Sequence, residues 1–182
     1  MTGSQTLGAA ITLHGAGKLK TAAKIYADLL TRGKDNHDAA YGLGTVLMQQ
    51  RRIDEALPLL AQARRACPDV SEYAFNHAWA LARLGRVADA VQGFMRAAEL
   101  AADDTPMIVE ICSRLMTLDY LYEAVEILTA ASQRTPRSPE IWLALEFHEH
   151  KIVTIFVWVR TYFAIYKFNN TLVDKLVKID SR

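Results

Sequence analysis

The chain has 182 residues, 51% of them hydrophobic, and carries 21 Lys+Arg against 20 Asp+Glu for a formal net charge of +1. That length allows one ordinary domain or one short repeat array with a sizeable core, and the near-neutral balance excludes whole-chain attraction to nucleic acid or acidic lipid. The two cysteines, Cys67 and Cys112, have no metal-ligand spacing and read as small buried or half-buried thiols in a reducing compartment.

The first stretch, MTGSQTLGAAITLHGAGKLK, lacks the basic n-region and uninterrupted apolar h-region of a secretory signal, so the cytoplasm is the expected location. From Gly3 onward the chain repeats with a period of 34. Blocks starting at Gly3, His37, Ser71 and Thr105 align without a gap over about 3–36, 37–70, 71–104 and 105–138. Their twentieth positions are Ala22, Ala56, Ala90 and Ala124. The eighth are Ala10, Gly44, Ala78 and Cys112, and the twenty-seventh are Leu29, Ala63, Ala97 and Ala131. Larger residues fill the columns between, with Tyr26, Leu60, Phe94 and Leu128 in one and Leu13, Leu47, Leu81 and Leu115 in another.

Each block therefore predicts a helical hairpin. Positions 4, 8 and 11 share one face of a first helix and positions 20, 24 and 27 one face of a second. Small residues at 8 and 20 let the two axes approach closely while the larger side chains fill the gaps. In chain order, Gly17 turns the first hairpin. In the second block Pro58 is tolerable at the edge of the first turn if Asp54 is the N-cap, and Pro68 stops the second helix. Gly85 turns the third hairpin, and Pro136 closes the fourth block. A fifth block opens at Pro139 with Trp142 and Leu145.

These columns resemble the tetratricopeptide repeat, whose pattern is W-x2-L-G-x2-Y, then Ala, then Phe or Tyr, then Ala, then Pro. The resemblance covers residues 3 to 138 and departs from the pattern at position 4 (Thr6, Ala40, Ala74, Ile108) and at position 32 of the first and third blocks (Lys34, Ala102). It implies an all-α, right-handed superhelical solenoid of antiparallel helix pairs, with first helices lining a concave groove. In such arrays the groove faces about positions 2, 5, 9, 12 and 13. Read here, they give Leu7, Ile11 and His14, then Tyr41, Thr45, Met48 and Gln49, then Phe75, Trp79, Ala82 and Arg83, then Val109, Ser113, Met116 and Thr117.

Some members hold a peptide carboxylate with a clamp of Lys, Asn and Arg. Asn76 takes the place of the central Asn, but Tyr41 and Thr45 stand where Lys and Asn are needed, and Pro106 and Glu110 where the cations are needed. The clamp mode is therefore rejected. The stripe of Tyr41, Met48, Phe75 and Trp79, with Asn76 and Arg83 as its polar members, suits an amphipathic helix or an extended apolar segment. The competing reading makes Phe75 and Trp79 core between adjacent first helices.

Chemistry is sparse. Glu146, His148, Glu149 and His150 lack the i, i+4 histidine pair of a metal-binding helix, and GAGKLK at 15–20 fills an inter-helix turn without the spacing of a phosphate loop. No cofactor, metal or catalytic residue is expected. The function expected is a non-catalytic scaffold for a protein or peptide partner. The alternatives are an accessory array of a larger enzyme, such as a bacterial sulfotransferase with these repeats, and a membrane-tethered scaffold.

Residues 151–182 change idiom. Residues 1–150 hold 26 Ala and a net charge of −3, whereas 151–182 hold one Ala and a net charge of +4. Trp158 falls in the position that four blocks give to alanine, and a tryptophan there forces helices apart, so the array ends near residue 150. The apolar stretch 152–168 is interrupted by Arg160 and Lys167 and is short of a membrane span. Capping or dimerisation through its apolar surface, a membrane anchor and a foreign extension remain open readings.

Overall fold

The computed structural model of the chain describes residues 6–33 and 36–145. The expectations for Glu146, His148, Glu149, His150 and residues 151–182 lie outside the described residues. Eight helices follow one another: α1 (Leu7–Gly15), α2 (Leu19–Arg32), α3 (His37–Gln49), α4 (Ile53–Ala66), α5 (Ser71–Arg83), α6 (Val87–Ala101), α7 (Thr105–Thr117) and α8 (Leu121–Arg134). A further helical segment occupies 139–145, and no strand occurs among the described residues. The fold is an all-α solenoid of successive antiparallel helix pairs. None of the described helices is long and apolar enough to cross a membrane.

The small-residue columns make the close helix pairing possible. Ala22, Ala56, Ala90 and Ala124 are 0% exposed, as are Ala10, Ala78 and Cys112. Their large neighbours Tyr26, Leu60, Phe94 and Leu128 are buried between the helices of each hairpin. Where α5 meets α6 the approach is close: a Cβ on Gly93 would stand 2.7 Å from the Cβ of Ala78, so a hydrogen is all that fits there. Gly42 serves a different purpose, since a Cβ on it would overlap the ring of Tyr26.

Helix ends follow local chemistry. Thr6, Asn36 and Asp104 cap α1, α3 and α7 by accepting from the backbone N–H of Ala9, Ala39 and Met107 at 3.2, 3.0 and 3.1 Å. Second helices start differently. Arg52 precedes α4 and donates to Glu55 at 2.7 and 2.6 Å, and Arg86 precedes α6 and donates to Asp89 at 2.9 and 2.6 Å, so the acid in each first turn is matched both to the helix dipole and to a cation. The inter-helix turns share one left-handed residue, at Gly17 (φ 72), Arg51 (φ 62), Gly85 (φ 76) and Asp119 (φ 65).

Two expectations are corrected here. The N-cap of α4 is Arg52 rather than Asp54, and Pro58 lies inside the helix. The bond that its missing N–H would make to the Asp54 carbonyl is forfeited, and the exposed ring faces solvent. Helix α6 runs to Ala101, one residue longer than α4 or α8. The chain then turns at Ala102 with φ 46.

Candidate functional site

The first helices α1, α3 and α5 stand side by side and present a cavity of about 730 Å³. Leu7, Ile11 and His14 supply one wall from α1. Tyr41, Thr45 and Gln49 supply the centre from α3, and Tyr73 and Asn76 the other wall from α5; Tyr26 of α2 reaches in at the base. Ile11 is 56% exposed, which leaves a large apolar side chain facing solvent at the mouth. The carboxylates of Asp38 and Glu72 join the lining, which among the described residues holds no arginine or lysine.

Polar groups in this groove are held in fixed directions. The Asn76 side-chain amide donates to the Tyr41 hydroxyl at 2.8 Å and to the Glu72 carbonyl at 3.0 Å. The Tyr73 hydroxyl donates to Asp38 Oδ1 at 2.5 Å, and the Tyr41 and Tyr73 rings lie 4.5 Å apart at a tilt of 30°. Thr45 turns its hydroxyl back onto the Gly42 carbonyl at 2.9 Å. Burial, the Glu72 charge and, in the opposite sense, the Asn76 amide combine to push the Tyr41 phenol up to about 12. Burial and the Asp38 carboxylate raise that of Tyr73. Both rings are therefore neutral hydrogen-bonding surfaces at physiological pH.

A second constellation lies further along the solenoid. The Arg114 guanidinium stacks on Trp79 with Cζ 4.4 Å from the ring centroid, while Arg83 stands at 5.8 Å. Arg114 also forms an ion pair with Glu110 one turn away on α7.

The structure thus brings Tyr41, Thr45 and Asn76 together, with Leu7, Ile11, His14 and Gln49 around them. Trp79 and Arg83 form a separate group with Arg114. Ser113 is exposed and Met116 half-buried on α7, and neither lines the cavity. Two expected groove residues belong to the core instead. Phe75 is 8% exposed because its ring packs on Phe94 of the same hairpin, 5.6 Å between centroids, and Met48 is buried with Leu47, Ile53, Ala56 and Leu60. Arg83 shares that face with a second cation, Arg114, which lies closer to Trp79.

Asp38, Glu72 and Tyr73 are lining residues absent from the sequence expectation. Asp38 and Glu72 occupy the second position of their blocks, which the repeat register marks as groove-facing. Tyr73 and Arg114, at positions 3 and 10, carry no such mark.

Among the described residues no group of three or more His, Cys, Asp or Glu is arranged to hold a metal ion. Cys112 is buried, and burial pushes its thiol up to about 12, far from nucleophilic.

Comparison with known proteins agrees with this architecture. The model of the tetratricopeptide repeat matches residues 13–74. Among solved structures, MamA from Desulfovibrio magneticus RS-1 is similar with a TM-score of 0.63 at 17% identity, over 73% of this chain and 75% of that one. MamA AMB-1 gives 0.56 at 25% identity, over 75% of both chains. YrrB, described as a TPR protein with an unusual peptide-binding site, gives 0.59 at 22% identity, over 78% of this chain and 73% of that one. Among curated proteins no match is found.

Proposed function

Because the chain folds as a tetratricopeptide-repeat protein, we propose that it is a non-catalytic interaction module that takes a short peptide or a helix of a protein partner in its concave groove. The observation that carries this reading is the open cavity of about 730 Å³, built by three successive hairpins and walled by apolar and aromatic side chains. Leu7 and Ile11 offer contact to an apolar side chain. Tyr41, Asn76 and the Asp38 and Glu72 carboxylates offer hydrogen bonds that fix direction and favour a ligand bearing N–H donors or a cation. The peptide-binding site described for YrrB supports the same use of this fold.

Residues 1–150 form the array in this reading and 151–182 an appended segment. The free thiols of Cys67 and Cys112 accord with a cytoplasmic location.

A displayed library of random peptides, panned against the full chain and against Ile11→Arg/Tyr41→Ala, tests the proposal. Enrichment of an apolar motif flanked by Lys or Arg on the wild type, lost on the double variant, is the expected result. No enrichment, or the same motif from both proteins, rules the groove out.

A further inference from the structure

Away from the groove, cations gather where α4, α5 and the start of α6 meet. Arg64 and Arg65 lie in the last turn of α4, His77 sits mid-way along α5, and Arg86 precedes α6. Arg64 Nη1 stands 3.3 Å from His77 Nδ1. The concavity between them, about 430 Å³, is lined by Ala61, Arg64, Arg65, Pro68 and His77. A second one of about 270 Å³ shares Arg64 and His77 and continues to Arg86 and Asp89. Neither shares a residue with the groove.

Several arginines of the chain are neutralised by a neighbouring carboxylate. Arg32, Arg52, Arg96, Arg114 and Arg134 each pair with a carboxylate, and Arg86 is held by Asp89 at 2.6 Å. Arg64 and Arg65 form no ion pair among the described residues. Two positive charges on consecutive residues are thus set against a histidine in a shared recess. We propose that this recess is an anion site for a phosphomonoester dianion, with Arg64 and Arg65 as its ligands and His77 as a hydrogen-bonding wall.

Three considerations select that chemistry. Two guanidinium forks offer more N–H donors than one carboxylate can accept, whereas a phosphate presents three free oxygens and a charge of about −1.5 to −2. His77, half-buried in the recess, adds a ring nitrogen beside the two exposed guanidiniums. His77 reports the local potential. Its imidazole is pushed down to about 4, first by burial and then by Arg64, Arg86 and Arg65, with only Asp89 opposing. Burial disfavours any charge there, and the arginine contribution beyond it marks a positive potential that favours an anion.

The phosphate has two possible sources, a free phosphate ester or a phosphorylated side chain on a partner, and the recognition chemistry is shared. Calorimetric titration of the full chain at low ionic strength with inorganic phosphate, with a phosphoserine peptide and with its unphosphorylated form tests the site and separates the sources. Saturable binding of at least one phosphate-bearing probe, weakened about tenfold or more in Arg64→Gln/Arg65→Gln and tightened in Asp89→Asn, is the expected result. Tighter binding of the phosphopeptide than of inorganic phosphate assigns the ligand to a modified partner; equal binding assigns it to a free ester.

An independent readout is the His77 imidazole, followed by NMR with sulfate, which stays dianionic across the titration. Its pKa is expected to rise on adding sulfate to the wild type and not in the double variant, whose fold is checked by circular dichroism. Absence of saturable binding of both phosphate probes, or binding undiminished in the double variant, or a His77 pKa indifferent to sulfate, overturns the proposal.

Discussion

The Tyr73 hydroxyl donates to Asp38 Oδ1 at 2.5 Å across 35 positions of sequence and so ties α5 of one hairpin to the first turn of α3 in the hairpin before it. In a solenoid each repeat contacts only its neighbours, so a bond that crosses between hairpins adds to the coupling between them rather than to one unit alone. Tyr73→Phe keeps the ring against Tyr41 and removes only the hydroxyl. Hydrogen bonds to a charged acceptor contribute about 1.5–3 kcal/mol, and with Asp38 half in solvent the lower end applies. Urea unfolding is expected to show a loss of about 1.5 kcal/mol, together with a broader transition as the repeats uncouple. An unchanged midpoint in Tyr73→Phe would remove this bond from the list of what holds the groove open.

Phe75 and Trp79 occupy one face of α5, one helical turn apart, yet they are expected to respond differently to truncation. Phe75 is buried against Phe94, so Phe75→Ala opens a cavity and is expected to cost about 3–5 kcal/mol. Trp79 is half-buried and its outer face carries Arg114. Trp79→Ala loses both packing and the cation contact. A double-mutant cycle with Arg114→Ala is expected to give a coupling of about 0.5–2 kcal/mol for the pair. Additive effects would mean that the stacking contributes nothing.

The difference between those two residues explains what could be read from the sequence. Period 34 and the invariant Ala22, Ala56, Ala90 and Ala124 identify which faces meet inside a hairpin, because only a small residue fits at that approach, and all four are fully buried. Whether a large residue on the first helix faces the groove or the interior depends on how far its own second helix and the next hairpin extend over it. That is a tertiary quantity. Phe75 is covered by Phe94, and Met48 clusters with its own hairpin's Ile53 and Leu60, while Tyr41 stays half-buried at the centre of the groove, its hydroxyl accepting from Asn76. Tyr73 and Arg114 escaped notice for the same reason: each reaches its partner through a long side chain from a position that the repeat pattern does not mark.

His77 makes stability depend on pH in a defined direction. Its imidazole is depressed to about 4 in the folded chain against 6.5 as the ordinary value. Between those limits the unfolded chain takes up a proton that the folded chain refuses. Stability therefore falls as pH drops from about 6.5 towards 4 and is unaffected by this group above that window. His77→Gln removes the dependence. The difference in unfolding midpoint between wild type and His77→Gln, followed from pH 7.5 to 4.5, is expected to move steadily against the wild type; parallel curves would contradict it.

Backbone strain in the inter-helix turns gives the last prediction. Gly17, Arg51, Gly85 and Asp119 stand at equivalent places, all with positive φ, but only two are glycine. The left-handed conformation costs an L-residue about 1–2 kcal/mol, since Cβ crowds the following carbonyl, and costs glycine nothing. Glycine also gains freedom in the unfolded chain, which offsets part of that relief. Arg51→Gly and Asp119→Gly are each expected to stabilise the chain by roughly 0.5–1 kcal/mol net. The reverse change, Gly17→Ala or Gly85→Ala, meets open space around the added Cβ, so any loss it causes comes from backbone conformation alone. A destabilisation of about 1 kcal/mol in those two variants, set against a gain in the other two, isolates the turn conformation as the cause. Thermal denaturation of the four single variants measures it directly, and a loss of stability in Arg51→Gly would show instead that the arginine side chain contributes more than its strained backbone costs.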